Sequence, residues 1–255
     1  MRAAAVLALL LAAGAAHPAQ RIVYSTNIAP FFQGAADDTP GAVNELLQLA
    51  ARQSDATLEI QPLPFKRMYA LLDSHPGTLA VMWRLPEVED SRCWLASLLR
   101  EQLVVLVRSD STARVDTLDA VMQLRVGVVL GGPAEMVVRR LGFARVETAS
   151  TAESNAHKLA LGRIDAWVAF RSVAAVTQRH IGLDAGAFRS GLALQQVDLY
   201  LTSGLSSEPR DLARWREVFL RLRRSGTQQG LLRQYGLSMG ASHEKSPASD
   251  AVSRP

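Results

Sequence analysis

The stretch Arg125-Val-Gly-Val-Val-Leu-Gly-Gly-Pro-Ala-Glu-Met-Val-Val138 decides the fold class. Arg125 to Leu130 is a short apolar run of the kind that a strand covered on both faces carries. Gly131-Gly132-Pro133 breaks it at once, and Pro133 stands where a first-turn proline is tolerated, so the turn leads directly into a helix. The same alternation continues downstream. Val146 to Ala149 reads as a strand, and Ser150-Thr-Ala-Glu153 as a capping box for a helix that runs to Leu161 and stops at Gly162. Ile164 to Ala169 is predicted as a strand, 172–180 as a helix and Leu192 to Leu201 as a strand. Ser207 with Pro209 opens a long helix that turns Leu212, Trp215, Phe219 and Leu222 inward, and Gln228 to Tyr235 forms a last one. Upstream, Asp116 caps a short helix through Met122, and Gln102 to Val107, Leu79 to Trp83, Thr57 to Gln61 and Arg21 to Ser25 read as strands. Gly41 opens a helix with Val43, Leu46, Leu47 and Ala50 at helical spacing, and Lys66 to Leu72 forms another with Met68, Leu71 and Leu72 inward. Strand and helix in alternation predict an α/β protein with a largely parallel sheet.

The N-terminus bears on compartment. Met1-Arg2 is followed by an Ala, Val and Leu run from Ala3 to Ala13, then by small residues up to Ala19, which is the order of a secretory signal peptide cleaved after Ala16 or Ala19. A segment that stays attached is the alternative. Cleavage leaves about 235 residues, enough for two small domains or one large one. The single cysteine, Cys93, allows no internal disulfide and no cysteine metal cluster, and is expected as buried packing. The formal charge of +4 comes almost wholly from scattered arginines, with no basic and aromatic interleaving, so nucleic acid is not an expected partner. Arg221 to Arg224 falls in a helix's last turns, where cations suit the macrodipole. The five histidines are widely spaced, and no metal or cofactor is expected. Gly236-Leu-Ser238-Met-Gly240 spells a hydrolase elbow but follows a terminal helix instead of a strand, so it reads as chance.

The order of short motifs resembles solute-binding protein family 3, the polar-amino-acid binders of ABC transporters, over about Arg21 to Gly236. The residues that carry the resemblance are Pro30-Phe31-Phe32, Gly41 with Glu45-Leu-Leu, Pro64-Phe-Lys-Arg67, and Trp83-Arg-Leu-Pro-Glu87. Leu124-Arg-Val-Gly-Val128 with Gly131-Gly132, Asn155-Ala-His-Lys-Leu159, Gly162-Arg-Ile-Asp-Ala166 and Arg224-Ser-Gly-Thr227 complete them. The resemblance implies a two-lobed periplasmic binding protein type II-like fold whose lobes are joined by two crossings. It places lobe 1 in 20–107 and 201–237 and lobe 2 in 108–200, between the signal read in 1–19 and a polar tail in 238–255 that its composition predicts to be disordered. It further implies a monomer that is not an enzyme, that holds a small polar solute in the interlobe cleft, and that serves an ABC permease or a membrane sensor. Two positions depart from the family. The arginine usual after the Pro-Glu step is Val88 here, and the aspartate usual beyond the Gly-x-x-Asp-Ala step is Phe170. A family-3 fold turned lyase, similar to cyclohexadienyl dehydratase, and an interaction protein without a ligand are the alternatives.

With those two groups absent, Arg84 and Arg92 are the candidates to grip an acidic group on the solute, since a guanidinium holds a carboxylate by two parallel hydrogen bonds. Phe31, Trp83 and Phe170 are candidate cleft walls, ahead of Phe32, Trp94 and Trp167. The turn at Gly132 and Ala134 presents helix-start N–H groups suited to an anion. Asp165 is expected to position a strand, and Asn155 to lie solvated on its helix.

Overall fold

The computed structural model describes residues 20–32, 40–54, 56–205 and 209–239. The expected signal segment, Ser207 and nearly all of the expected polar tail lie outside them, as does the side chain of Leu212. The chain runs β1 (Gln20–Ser25), α1 (Ala42–Arg52), β2 (Thr57–Pro62), α2 (Phe65–Ser74), β3 (Leu79–Arg84), a 3-10 segment (Pro86–Ser91) and β4 (Cys93–Arg108). It continues with α3 (Leu118–Met122), β5 (Val126–Val129), α4 (Pro133–Arg140), β6 (Val146–Ala149), α5 (Ala152–Ala160), β7 (Ala166–Phe170), α6 (Arg171–His180), β8 (Phe188–Ser203), α7 (Pro209–Arg224) and α8 (Thr227–Gln234).

Among the described residues the strands form one sheet in the order β2-β1-β3-β8-β4-β7-β5-β6. The sheet is mixed, not largely parallel. β1 with β2 and β3, and β5 with β6 and β7, pair in parallel, while β3/β8, β8/β4 and β4/β7 are antiparallel. The antiparallel centre comes from β4 and β8, each 16 residues long, which lie side by side from Cys93↔Ser203 to Arg108↔Phe188. Beginning at Cys93, β4 is far longer than the apolar run at 102–107 indicated. The polar Arg100-Glu101-Gln102 step that hides its first half is satisfied across the ladder, with Arg100 Nη2 donating to Asp198 at 2.7 Å. Register shifts between Trp94 and Ala96, Ser97 and Leu99, and Leu103 and Leu106 bend the strand. Its partners change along its length: Cys93 to Arg100 lie beside the part of β8 that pairs with β3, and Leu103 to Leu106 pair with β7.

Helix faces follow the apolar spacing. Val43, Leu46, Leu47 and Ala50 of α1, Met68 and Leu72 of α2, and Trp215, Phe219 and Leu222 of α7 are buried, whereas Leu71 is only partly so. Two caps lie one residue on from their expected places: Thr117, not Asp116, accepts from the Ala120 N–H, and Thr151, not Ser150, from that of Ser154. Asn155 is not solvated. It is fully buried because Gly127 lets α5 press onto β5; a Cβ at Gly127 would lie 2.6 Å from Asn155 Oδ1. Cys93 is half-buried, with an Arg216 Nη2 contact to its sulfur at 3.7 Å.

Candidate functional site

A cavity of about 530 Å³ opens between the two ends of the sheet. One wall comes from the β1–α1 and β2–α2 loops. Pro62 ends β2, Leu63 N–H donates to Ser25 O at 2.7 Å, and Pro64 caps α2, so Pro62 to Phe65 is a stiff edge. In the other loop, the N–H groups of Phe31 and Phe32 both donate to Ile28 O at 3.0 Å. The free N–H groups at the start of α1 then close on this loop, Ala42 to Pro30 O and Val43 to Phe31 O. Gly41 makes that approach possible: its φ is +83°, and a Cβ there would sit 2.7 Å from Phe31 O. The opposite wall is the end of β5 (Val129, Leu130), the start of α5 (Ser150 to Glu153) and one face of α6. That face is Val173, Val176, Thr177 and His180, the spacing of side chains stacked on one side of a helix.

Deeper in, and sharing Ile28, Phe65, Val129, Ala152 and Val173 with this cavity, lies an apolar slot of only about 40 Å³. Aromatic rings from opposite ends of the sheet fill it. Trp83, at the end of β3, stacks on Phe170, at the end of β7, with centroids 3.8 Å apart and 25° between planes. Phe31 meets both edge-on, at 5.4 Å and 6.4 Å. All three are at least nine-tenths buried. Gly132 and Ala134 complete the slot, and the Phe65 ring would lie 3.1 Å from a Cβ on Gly132.

Further contacts tie the two ends together. Arg140 of α4 reaches Glu87 of the 3-10 segment at 2.8 Å, and Tyr69 of α2 lies 3.8 Å from the Met136 sulfur of α4. Burial pushes the Tyr69 phenol up to about 12, so it stays neutral. Where β4 passes from one set of partners to the other, burial also raises the Glu101 carboxyl, which accepts from the Ser172 N–H at 3.2 Å.

No family model and no curated protein matches the chain. Solved structures do. An ancestral arginine-binding protein bound to arginine is similar at 16% identity and a TM-score of 0.73, over 86% of this chain and 99% of that one. A histidine kinase sensor domain with similarity to periplasmic binding proteins is similar at 15% identity and a TM-score of 0.78, over 88% and 99%. The arginine-, lysine-, histidine-binding protein ArtJ from Geobacillus stearothermophilus is similar at 16% identity and a TM-score of 0.73, over 86% and 96%. The fold is periplasmic binding protein type II-like. In such a fold the two ends of the sheet are lobes, β4 and β8 are the crossings, and the cavity is the cleft between them.

The structure brings Phe31, Trp83, Phe170, Gly132 and Ala134 together at the cleft floor and leaves both candidate arginines out of it. Trp83 faces the slot, so Arg84, the next residue along a pleated strand, faces the other way. There its Nε donates to Glu89 at 2.9 Å, and the guanidinium lies between the Trp94 and Tyr200 rings at 5.6 Å and 5.2 Å. The Glu89 hydrogen bonds hold it more firmly charged than usual. Arg92, its side chain 4% exposed, pairs with Asp73 at 2.7 Å. Neither arginine lines the cavity or the slot. Val88 packs against the core. The Gly131 turn already holds an anion of its own, since its N–H donates to Glu135 at 2.6 Å. Asp165 pairs with Arg125 at 2.8 Å, a strand-positioning role, and Trp167 is fully buried beside Phe188. Sequence reasoning missed Thr26, Asn27, Glu153, Thr177 and His180. The helical spacing of 173, 176, 177 and 180 was the available signal, with a threonine inside an otherwise apolar face.

Proposed function

We propose that the chain is a periplasmic solute-binding protein that holds a small polar solute between its lobes and presents the closed, loaded form to an ABC permease or a membrane sensor. The observation that carries this reading is the cavity of about 530 Å³ walled by residues of both lobes, a size suited to a small molecule. A solute that touches both walls binds the closed arrangement better than the open one, and so converts its own capture into a change of shape. The fold similarity to amino-acid binders and to a sensor domain supports solute capture and leaves both partners open. Export follows from the sequence order of residues 1–19, and the mature chain then starts at His17 or Gln20.

The test is a thermal-shift screen of amino acids, organic acids, amines and sugars on the mature protein, followed by solution scattering with each hit. A hit should raise the melting temperature, shrink the radius of gyration and be recovered unchanged. Consumption of the hit would favour a lyase on this fold. No stabilisation by any class, with an unchanged radius, would remove the binding reading.

A further inference from the structure

We propose that the cleft takes an organic cation, an ammonium group on an apolar body, and rejects the corresponding carboxylate. This rests on the solute-binding reading above. Among the described residues the lining of the large cavity contains no lysine and no arginine, its one acidic residue is Glu153, and its one histidine is His180 at the far end of α6. The arginines that directly follow two of the floor rings are engaged elsewhere, Arg84 with Glu89 and Arg171 with Gln102, and Arg92 pairs with Asp73. The Glu153 carboxylate has neither a hydrogen-bond nor an ion-pair partner among the described residues, whereas Glu87, Glu89, Glu101, Glu135 and Asp165 each have one. A lone carboxylate in a site that closes over a solute loses water without replacement, and a cation is the solute that compensates it. A second negative charge in the same cavity would be repelled at short range in a medium poorer than water at screening.

The remaining polar groups agree with a donor-rich head. Apart from Thr151, whose hydroxyl caps α5, and His180, they are Thr26, Asn27, Ser150 and Thr177, and none of these four has a side-chain hydrogen bond to another described residue. Their oxygens are acceptors for the N–H groups of an ammonium. The apolar body has its own wall in Leu63, Phe65, Val173 and Val176, and in Leu130, which remains 45% exposed although large and apolar. The start of α5 also faces the cavity, and a helix start favours anions. Its partial charge is about half a unit, and the full charge of Glu153 lies in that same first turn, so the local sign is negative.

The experiment compares four solutes that share a 3-methylbutyl body on the full mature protein: isoamylamine, 3-methylbutan-1-ol, 4-methylpentanoate and leucine. Phenethylamine and putrescine extend the amine arm. Calorimetry should give binding for at least one amine, at least tenfold weaker binding for the alcohol, and none for the carboxylate or the zwitterion. Glu153→Gln should weaken the amine about ten- to a hundredfold, whereas Arg84→Ala, outside the cleft, should leave it unchanged. Glu153→Asp, which keeps the charge, should recover part of the loss, and melting temperatures identify any variant that fails to fold. Binding of 4-methylpentanoate or leucine as tight as that of the amines overturns the proposal, as does unchanged amine binding in Glu153→Gln. If no amine binds but another solute in the wider screen does, the cation assignment falls and the solute-binding reading stands. If nothing binds, both fall.

Discussion

At the residue scale, the cleft floor depends on three rings that the fold holds nearly dry. Removing a buried aromatic ring typically costs about 3–5 kcal/mol, part of it from the cavity left behind. Phe170→Ala should therefore lower stability by roughly that amount in urea unfolding, and it should also enlarge the 40 Å³ slot enough to admit bulkier solutes. A variant as stable as wild type would mean that the Trp83 stack contributes little. Asp165 offers a test in pH. The Arg125 hydrogen bonds hold its carboxyl below the usual range. A group whose folded pKa is depressed stabilises the protein above its unfolded pKa, about 4 for aspartate, and that stability is lost as pH falls toward the folded value. Asp165→Asn should flatten this acid limb. Because the Asp165 side chain is 36% exposed, screening limits the effect to less than about 1 kcal/mol. An unchanged slope below pH 4 would show that the ion pair has no thermodynamic weight.

At the element scale, strands and helices were legible wherever apolar spacing was regular, and their ends were not. Thr117 and Thr151 displaced the expected caps by one position because either neighbour offers a hydroxyl or carboxylate, and only backbone geometry chooses between them. Half of β4 was hidden because Arg100, Glu101 and Gln102 find their partners on β8 and α6, far away in sequence. The aromatic floor was readable, since Phe31, Trp83 and Phe170 all stand at strand-to-helix junctions. Arg84 lies off the floor because a side chain one place along a strand faces the opposite side, and Arg92, between the 3-10 segment and β4, turns to Asp73 instead. The α5/β5 contact belongs to this scale as well. A Cβ at Gly127 would lie 2.5 Å from Ile164 Cδ1 and 2.6 Å from Asn155 Oδ1. Gly127→Ala should cost about 1–3 kcal/mol by overpacking. Adding Asn155→Ala should return part of that, a non-additivity that a double-mutant cycle reads directly.

At the scale of the whole molecule, closure is supported by contacts that need no solute. The Glu87 to Arg140 pair spans the lobes near the surface, with both side chains about one-third exposed. Arg140→Ala should change stability by less than about 1 kcal/mol yet raise the solute-free radius of gyration, because it unties a link between lobes without touching either core. A radius identical to wild type would leave the aromatic stack as the interlobe contact that matters. The expected boundaries at 107/108 and 200/201 can be probed by the same scattering, since they fix how much mass swings about the crossings.

The two long central strands carry one further consequence, for how the chain can be divided. Cys93 to Arg108 lies against Phe188 to Ser203 along its whole length, and each strand supplies sheet edges to both lobes. No single cut yields two fragments that each own a complete sheet. A lobe expressed alone would have an open, apolar edge, the usual seed of aggregation. The pair of lobes should therefore behave as one inheritable unit: duplicated, fused or lost together, and melting in a single transition with the slowest amide exchange along the shared ladder.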